Sequence, residues 1–146
     1  MSAMSDQNLH VSGSCLCGAL SFTVDLKNTD VGTCHCGMCR KWSGGALMML
    51  ECDSDPAFEN TEALGVYRAS DWGERGFCRT CGTSLFWRMQ DGSHISVSVA
   101  SLDGVQHLRL ANEIFIDEKP DYYNFAEPTH KMTGAEVIAM FAPEAK

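Results

Sequence analysis

The sequence predicts a single, mainly β domain whose cysteine clusters lie on the loops between antiparallel strands. Segments that alternate apolar and polar residues dominate the chain, thirteen glycines stand against four prolines, and seven of the eight cysteines fall into three tight clusters. The 146 residues, 45% of them hydrophobic, suffice for one domain with its own core. We therefore expect one domain over residues 1–146, of which residues 1–8 form a flexible tail.

Several segments have the composition and alternation of β-strands. Apolar and polar residues alternate over residues 19–26, whereas residues 46–52 form a short apolar run typical of a buried strand. Asp91-Gly92 lies between two strand-like segments and predicts a tight hairpin, because the favoured two-residue turns need positive φ. The expected strands, in chain order, are residues 19–26, 46–52, 64–69, 84–89, 94–100 and 108–116.

Helix signals are weak until the C-terminal end of the chain. Thr133, with Glu136 three residues later, forms a capping box ahead of the mostly apolar residues 137–141. We therefore expect at most one short helix, at the C-terminus. No internal repeat, low-complexity tract or linker divides the sequence.

The charge of the chain excludes some classes of partner. The formal net charge is -8 and the isoelectric point about 4.9, whereas proteins that bind nucleic acids or anionic membranes usually present a basic face. The sequence has neither the apolar core of a signal peptide nor an apolar run long enough to span a bilayer. We expect a cytoplasmic protein without nucleic-acid or membrane partners; the sequence leaves its oligomeric state open.

In a reducing cytosol, clustered cysteines hold a metal ion more often than they form disulfides. Thiolates two or three residues apart can ligate one soft cation, because a tight turn brings both sulfurs to the same side. A redox-active dithiol is the main alternative for C-x-x-C, but it needs a βαβ context that residues 77–82 lack. We expect the metal to be zinc, with two ions per chain.

The cysteines divide into two different kinds of zinc site. A structural zinc ion needs four ligands in a closed tetrahedron, which two cysteine pairs provide. Three cysteines leave the fourth position open to water or a substrate atom, as in reactive zinc sites. The closed site is expected at Cys15, Cys17, Cys78 and Cys81, and the open site at Cys34, Cys36 and Cys39.

Two further residues bear on this division. His35 lies between two of the expected ligands and could complete their tetrahedron, although its place in C-H-C makes simultaneous ligation sterically awkward. Cys52 has no cysteine neighbour in sequence and lies in an apolar run. We expect Cys52 to be a small buried hydrophobic residue, because free cysteine is among the most buried residue types.

Three segments resemble the glutathione-dependent formaldehyde-activating enzyme family, to which the centromere protein V-type domains are similar. They are GSCLCG at residues 13–18, CHCGMCRK at residues 34–41 and GFCRTCGTSL at residues 76–85. The order and spacing of all three clusters fit, and the resemblance spans residues 13–123. It implies a zinc-binding β-tent fold, a structural zinc on the four cysteines and a more labile zinc on the three. It also implies a carbon–sulfur lyase of the S-(hydroxymethyl)glutathione synthase type.

The residues support related chemistry. Zinc bound by three thiolates is a weak Lewis acid but is suited to holding a fourth sulfur. A small thiol such as glutathione would lose its proton more readily there and could attack formaldehyde or a similar small aldehyde. Arg40 and Lys41 directly follow the three cysteines and are candidates to bind the carboxylates of that thiol. A non-catalytic zinc-stabilised interaction module and a thiol or zinc redox sensor are the alternatives to such an enzyme.

Overall fold

The computed structural model describes residues 9–141, which form two compact units. The first unit comprises residues 9–29 and 50–107, and the second comprises residues 30–49 and 108–141. Each unit is assembled from two stretches that are distant in sequence. The single-domain expectation stays a prediction, and the tail expected at residues 1–8 lies outside the described residues.

The first unit contains only antiparallel strand pairs. Four strands form a sheet in the order β10-β1-β2-β5, and four others follow one another as the antiparallel series β6-β7-β8-β9. Their bounds are His10–Ser14 (β1), Ser21–Asp25 (β2), Ala57–Phe58 (β5), Leu64–Tyr67 (β6), Gly73–Cys78 (β7), Ser84–Met89 (β8), Ile95–Ser98 (β9) and Leu102–Asp103 (β10).

The core of the first unit is aromatic and aliphatic. The ring of Phe58 packs against Phe22 and Phe86, at centroid distances of 5.3 and 6.3 Å. A side chain at Gly76 would collide with Phe86, because a Cβ there would lie 2.2 Å from that ring. Glycine at this position therefore allows β7 and the Phe86 side chain of β8 to pack closely.

The second unit contains a mixed sheet and two helices. Its strands lie in the order β12-β11-β3-β4, in which β11 is parallel to both β3 and β12 while β3 and β4 are antiparallel. The strand bounds are Asp30–Cys34 (β3), Leu47–Glu51 (β4, of which residues 47–49 belong to this unit), Arg109–Ile114 (β11) and His130–Met132 (β12). Helix α1 spans Gly37–Ser43 and helix α2 spans Gly134–Phe141.

The mainly β fold class is confirmed, and so is the predicted start of the C-terminal helix. The Thr133 backbone N–H donates to Glu136 Oε1 at 2.7 Å, and the Glu136 N–H donates to Thr133 Oγ1 at 3.2 Å. Three findings differ from expectation. Helix α1 is a second helix that the sequence did not indicate, and the pairs formed by β11 are parallel. The structure also has six strands that were not among those expected, namely β1, β3, β5, β7, β10 and β12. Among the described residues, no helix has the length and apolar character that crossing a bilayer requires.

Candidate metal centres and substrate pocket

The four cysteines expected to form the closed site lie together in the first unit. The sulfurs of Cys15, Cys17, Cys78 and Cys81, here called the four-cysteine cluster, all lie within 4.8 Å of one another. The Cys15–Cys17 and Cys17–Cys78 Sγ distances are 3.6 and 3.8 Å. Sulfurs placed tetrahedrally at about 2.3 Å from one zinc ion would be about 3.8 Å apart. The cluster therefore fits a zinc ion.

Two tight turns present these sulfurs. Gly18 N–H donates to the Cys15 carbonyl at 3.2 Å, and Gly82 N–H donates to the Cys78 carbonyl at 2.8 Å. Both glycines have positive φ, +83° and +84°, a conformation that L side chains rarely adopt. Thr83 joins the two turns, because its Oγ1 accepts from the Leu16 N–H at 3.0 Å. The two turns thus direct the sulfurs of both cysteine pairs toward one common site.

The three remaining clustered cysteines lie together in the second unit. Cys34 ends β3, Cys36 is the N-cap of α1 and Cys39 lies in the first turn of that helix. Their sulfurs, the three-cysteine cluster, lie within 4.8 Å of one another, and all three residues are buried. The Cys39 N–H donates to Cys36 Sγ at 3.3 Å, so a thiol serves as the helix cap.

The charge that three deprotonated thiols would carry also favours binding of a soft cation. Hydrogen bonding to Cys36 and Cys39, together with burial, holds the pKa of Cys34 far above its ordinary value. Three thiolates can therefore coexist here only when a cation compensates their charge. Thiolate ligands favour zinc over hard cations. The donor set fits a zinc ion that would be held by Cys34, Cys36 and Cys39.

His35 does not complete the three-cysteine cluster. Its Nε2 is 2.8 Å from Glu113 Oε1, and its Nδ1 is 2.7 Å from the Tyr123 hydroxyl. Both ring nitrogens are thus engaged on side chains that are not cysteines. Within the described residues, no histidine or carboxylate joins the three sulfurs as a ligand group. An open fourth position at this cluster stays a prediction.

The surroundings of His35 form a buried polar network. Hydrogen bonds from Thr129 and His35 outweigh the effect of burial and hold the pKa of Glu113 below its usual range. A carboxylate can only accept, so Nε2 of His35 carries the proton that is shared with Glu113. Burial raises the pKa of Tyr123, which keeps its hydroxyl protonated.

A pocket of about 300 Å³, here called the α1 pocket, lies along helix α1 in the second unit. It is lined by Gly37, Arg40, Lys41, Gly44, Gly45 and Tyr122. Gly37 stands between two of the clustered cysteines, and Arg40 and Lys41 follow the third on the same helix. The ring of Tyr122 is 5.2 Å from that of Tyr123, in an edge-on arrangement.

The two basic residues of the α1 pocket differ. The Arg40 guanidinium is held in place, because Nε donates to the His35 carbonyl at 2.9 Å and a terminal nitrogen donates to the Glu118 carbonyl at 3.4 Å. Lys41 is exposed on α1. Arg40 therefore contributes a fixed positive charge, while Lys41 can follow a ligand.

The eighth cysteine stands apart from both clusters, as expected. Cys52 is buried in the first unit, and its thiol points to the Leu50 carbonyl at 3.6 Å. Burial raises its pKa to about 12, so the thiol stays protonated and inert.

Sequence patterns did not indicate Glu113 or Thr129 as site residues. They also did not indicate that Tyr123 bonds to His35 or that Tyr122 lines the α1 pocket. Glu113 lies 78 residues from His35 in sequence, and only the parallel pairing of β11 with β3 brings them together. The sequence carries one signal for this residue: Glu113 is the single acidic residue in the expected strand over residues 108–116.

Fold and site together define a mainly β protein with a four-cysteine cluster and a three-cysteine cluster, each of which could hold a metal ion. The sequence pattern described as "Glutathione-dependent formaldehyde-activating enzyme" matches residues 10–118. The chain belongs to this family.

Relatives and a solved structure agree with that assignment. A Schizosaccharomyces pombe protein named an uncharacterized lyase is 32% identical over 127 residues, which cover 86% of this chain and 93% of that protein. A Halomonas elongata protein that carries the family's name is 33% identical over 85 residues, 52% of this chain and 54% of its own. A crystal structure of a Rhodobacter sphaeroides protein shares 30% identity with a TM-score of 0.56, covering 65% of this chain and 90% of that one.

Proposed function

We propose that this protein is a carbon–sulfur lyase that forms or breaks the adduct between a small thiol, such as glutathione, and formaldehyde or a similar small aldehyde. The observation that carries the proposal is one short helix. Helix α1 and its N-cap supply two of the three clustered cysteines, and the same helix supplies both basic residues of the α1 pocket. Family membership and the lyase name of the Schizosaccharomyces pombe relative support the same class of reaction.

The metal's part follows from its ligands. A zinc ion held by Cys34, Cys36 and Cys39 would accept the sulfur of the substrate thiol and favour its thiolate form. A second zinc, held by the four-cysteine cluster, would have no free position and would serve the fold.

The residues of α1 would bind the rest of the thiol. Glutathione carries two carboxylates and one ammonium group, while the protein itself has a formal charge of -8. The positive charges of Arg40 and Lys41 would offset part of that unfavourable field at α1, where the Glu118 carboxylate accepts from the Gly37 N–H at 2.8 Å. Lys41 would contact a carboxylate directly, and the fixed Arg40 would add a charge that needs no rearrangement.

The reaction is a balanced addition. A bond forms between the thiol sulfur and the aldehyde carbon, while the π electrons of the carbonyl move to its oxygen. The thiol loses one proton and the oxygen gains one, which gives a hemithioacetal without any oxidant or reductant. The reverse sequence releases the aldehyde. In the S-(hydroxymethyl)glutathione synthase case, the pair would be glutathione and formaldehyde, and we expect the reaction in a reducing cytoplasm, which preserves free thiols.

The test compares three proteins: wild type, Cys39→Ser and the matched control Cys52→Ala. Exchange between glutathione and its formaldehyde adduct is measured by NMR, and the enzyme-free rate is subtracted. We expect exchange catalysed by wild type and by Cys52→Ala and at least about 100-fold less by Cys39→Ser, since that variant lacks a metal ligand. No exchange above the enzyme-free rate in wild type would overturn the proposal and favour the non-catalytic interaction module, and equal catalysis by all three proteins would overturn the role of the three-cysteine cluster.

A further inference from the structure

Every hydrogen-bonding group of His35 is engaged, and the residue is 0% exposed. Its backbone N–H donates to the Ile114 carbonyl at 3.1 Å, and its carbonyl accepts from Arg40 Nε at 2.9 Å. Its ring binds Glu113 at 2.8 Å and Tyr123 at 2.7 Å. His35 is thus fixed at backbone and side chain, between two cysteines of the three-cysteine cluster.

Glu113 is the centre of this arrangement. It lies on β11, is 2% exposed, and uses one oxygen for His35 and the other for the Thr129 hydroxyl at 2.5 Å. Lys131 Nζ adds a positive charge 3.7 Å from the second oxygen. The carboxylate therefore joins β11 and the start of β12 to the loop that carries Cys34 and Cys36.

The other side of the ring is equally fixed. Tyr123 packs beside His35 at a centroid distance of 5.5 Å, and Lys119 lies 5.0 Å from the centre of the Tyr123 ring. Lys119 Nζ also donates to the Tyr123 carbonyl and, at 2.9 Å, to that of Pro120. The segment that brings the Tyr123 hydroxyl to His35 is therefore itself anchored.

A buried charge with this environment is weak evidence for stability, because well-packed apolar residues often stabilise a core as well. The hydrogen bonds of the Glu113 carboxylate are better suited to fixing the position of His35. Immobilising His35 sets the separation of the Cys34 and Cys36 sulfurs, and the Arg40 bond to its carbonyl adds the turn of α1 that holds Cys39. A metal ion then meets thiols that are already ordered, so less conformational entropy is lost on binding.

We propose that Glu113 and Tyr123 are positioning residues for metal binding, which act through His35 to hold the three-cysteine cluster in its ligating geometry. The proposal rests on the metal-binding part of the proposed function, but it does not depend on which thiol or aldehyde reacts. Residues that orient metal ligands typically change metal affinity about 10- to 100-fold when they are replaced.

The experiment measures zinc affinity at both clusters in each full-length protein, by competition with a chromophoric chelator. The variants are Glu113→Gln and Tyr123→Phe, which keep side-chain size, and Cys39→Ser identifies the signal of the three-cysteine cluster. Arg109→Ala is the matched control, because Arg109 also lies on β11 but forms only the exposed pair with Asp30 at 3.0 Å. The four-cysteine cluster of the same molecule serves as an internal reference.

We expect Glu113→Gln to weaken zinc binding at the three-cysteine cluster about 10- to 100-fold and Tyr123→Phe to weaken it by a smaller factor. Binding at the four-cysteine cluster and in Arg109→Ala should match wild type. Wild-type affinity at the three-cysteine cluster in both variants would overturn the inference. If Glu113→Gln unfolds and loses zinc at both clusters, the zinc affinity of Tyr123→Phe at the three-cysteine cluster tests the inference instead. The zinc titration does not depend on adduct exchange. If the two variants bind zinc more weakly but wild type does not catalyse exchange, the positioning role stands and only the proposed lyase activity is refuted.

Discussion

The two cysteine clusters use the same ligand chemistry in different surroundings. The four-cysteine cluster is built from two glycine-closed turns, and the side chains of Cys17 and Cys81 are reached by solvent. The three-cysteine cluster is built from a strand end and a helix start, and all its residues are buried. Around the first, the hydrogen bonds to sulfur come from the local turns. The second has a buried network of Glu113, His35 and Tyr123, and its helix carries a pocket lined by two basic side chains.

Under the proposed function, the difference separates a cluster that stabilises the fold from a cluster that takes part in the reaction. Four thiolates saturate a zinc ion, so the surrounding chain needs only to close the turns. Three thiolates do not saturate it, and a reactive position needs a binding site for the incoming molecule and a fixed geometry for the ligands. Among the described residues, the helix of the second cluster carries a basic pocket and its His35 lies in a buried polar network, so we would look for activity there.

The largest expected effect separates the clusters by stability. Cys78→Ser removes a ligand from the four-cysteine cluster, whose zinc would contribute on the order of 10 kcal/mol, comparable with the stability of a whole domain. We expect this variant to lose its cooperative thermal transition. Cys39→Ser should keep a transition and bind one zinc ion per chain instead of two. Calorimetry with metal analysis checks both, and a folded Cys78→Ser protein would contradict the assigned structural role.

A smaller effect is expected in the α1 pocket. Lys41→Ala should raise KM for glutathione about 10-fold with little change in kcat, because the lysine would bind a carboxylate equally in ground and transition states. Lys27→Ala is the control, since Lys27 is an exposed lysine in the first unit. Steady-state kinetics at several salt concentrations measure the change. An unchanged KM would remove Lys41 from the substrate site.

The capping box offers a perturbation of stability without chemistry. Thr133→Ala removes the side-chain cap of α2 and should lower the free energy of unfolding by about 1 kcal/mol. Zinc affinity at both clusters should stay at the wild-type value. Denaturant unfolding and chelator competition measure the two quantities, and a weaker three-cysteine cluster in this variant would show that metal affinity merely follows overall stability.

The smallest effect concerns the residue before the three-cysteine cluster. Thr33 is 0% exposed, and among the described residues its hydroxyl is the one buried side-chain group without a hydrogen-bond partner. Thr33→Val keeps the shape and removes that hydroxyl, so we expect the free energy of unfolding to rise by up to about 1 kcal/mol. Denaturant titration of the zinc-loaded protein measures it. Destabilisation would mean that the hydroxyl has a role in the network around Glu113.

Local patterns predicted much of this molecule. The hairpin around Asp91-Gly92 and the capping box at Thr133 depend on neighbours in sequence, and the structure contains both. The hairpin loop is longer than the predicted two-residue turn, because Met89 pairs with His94 and, of the two predicted turn residues, Gly92 alone has positive φ. The division of the cysteines followed from counting ligands, because zinc chemistry fixes how many thiols close a site. Short-range geometry determines the hairpin and the capping box, whereas ligand number predicted that two distant cysteine pairs share one site.

Other features depend on partners that a local pattern does not reveal. Strand β7 carries Glu74 and Arg75, both buried, so its sequence does not have the alternation of a strand. Helix α1 begins at a cysteine cap, which is not a usual helix start signal, and it has only seven residues. The network around His35 needs the parallel pairing of β3 with β11, a contact across 78 residues of sequence.

Cadmium NMR tests the central contrast most directly, because cadmium replaces zinc at thiolate sites and its chemical shift reports the number of sulfur ligands. The cadmium-loaded protein should give two signals, of which glutathione shifts only one. That signal should be missing in Cys39→Ser, while the other stays unchanged. A glutathione-induced shift of the four-cysteine signal, or no shift of either signal under conditions in which adduct exchange proceeds, would contradict the account.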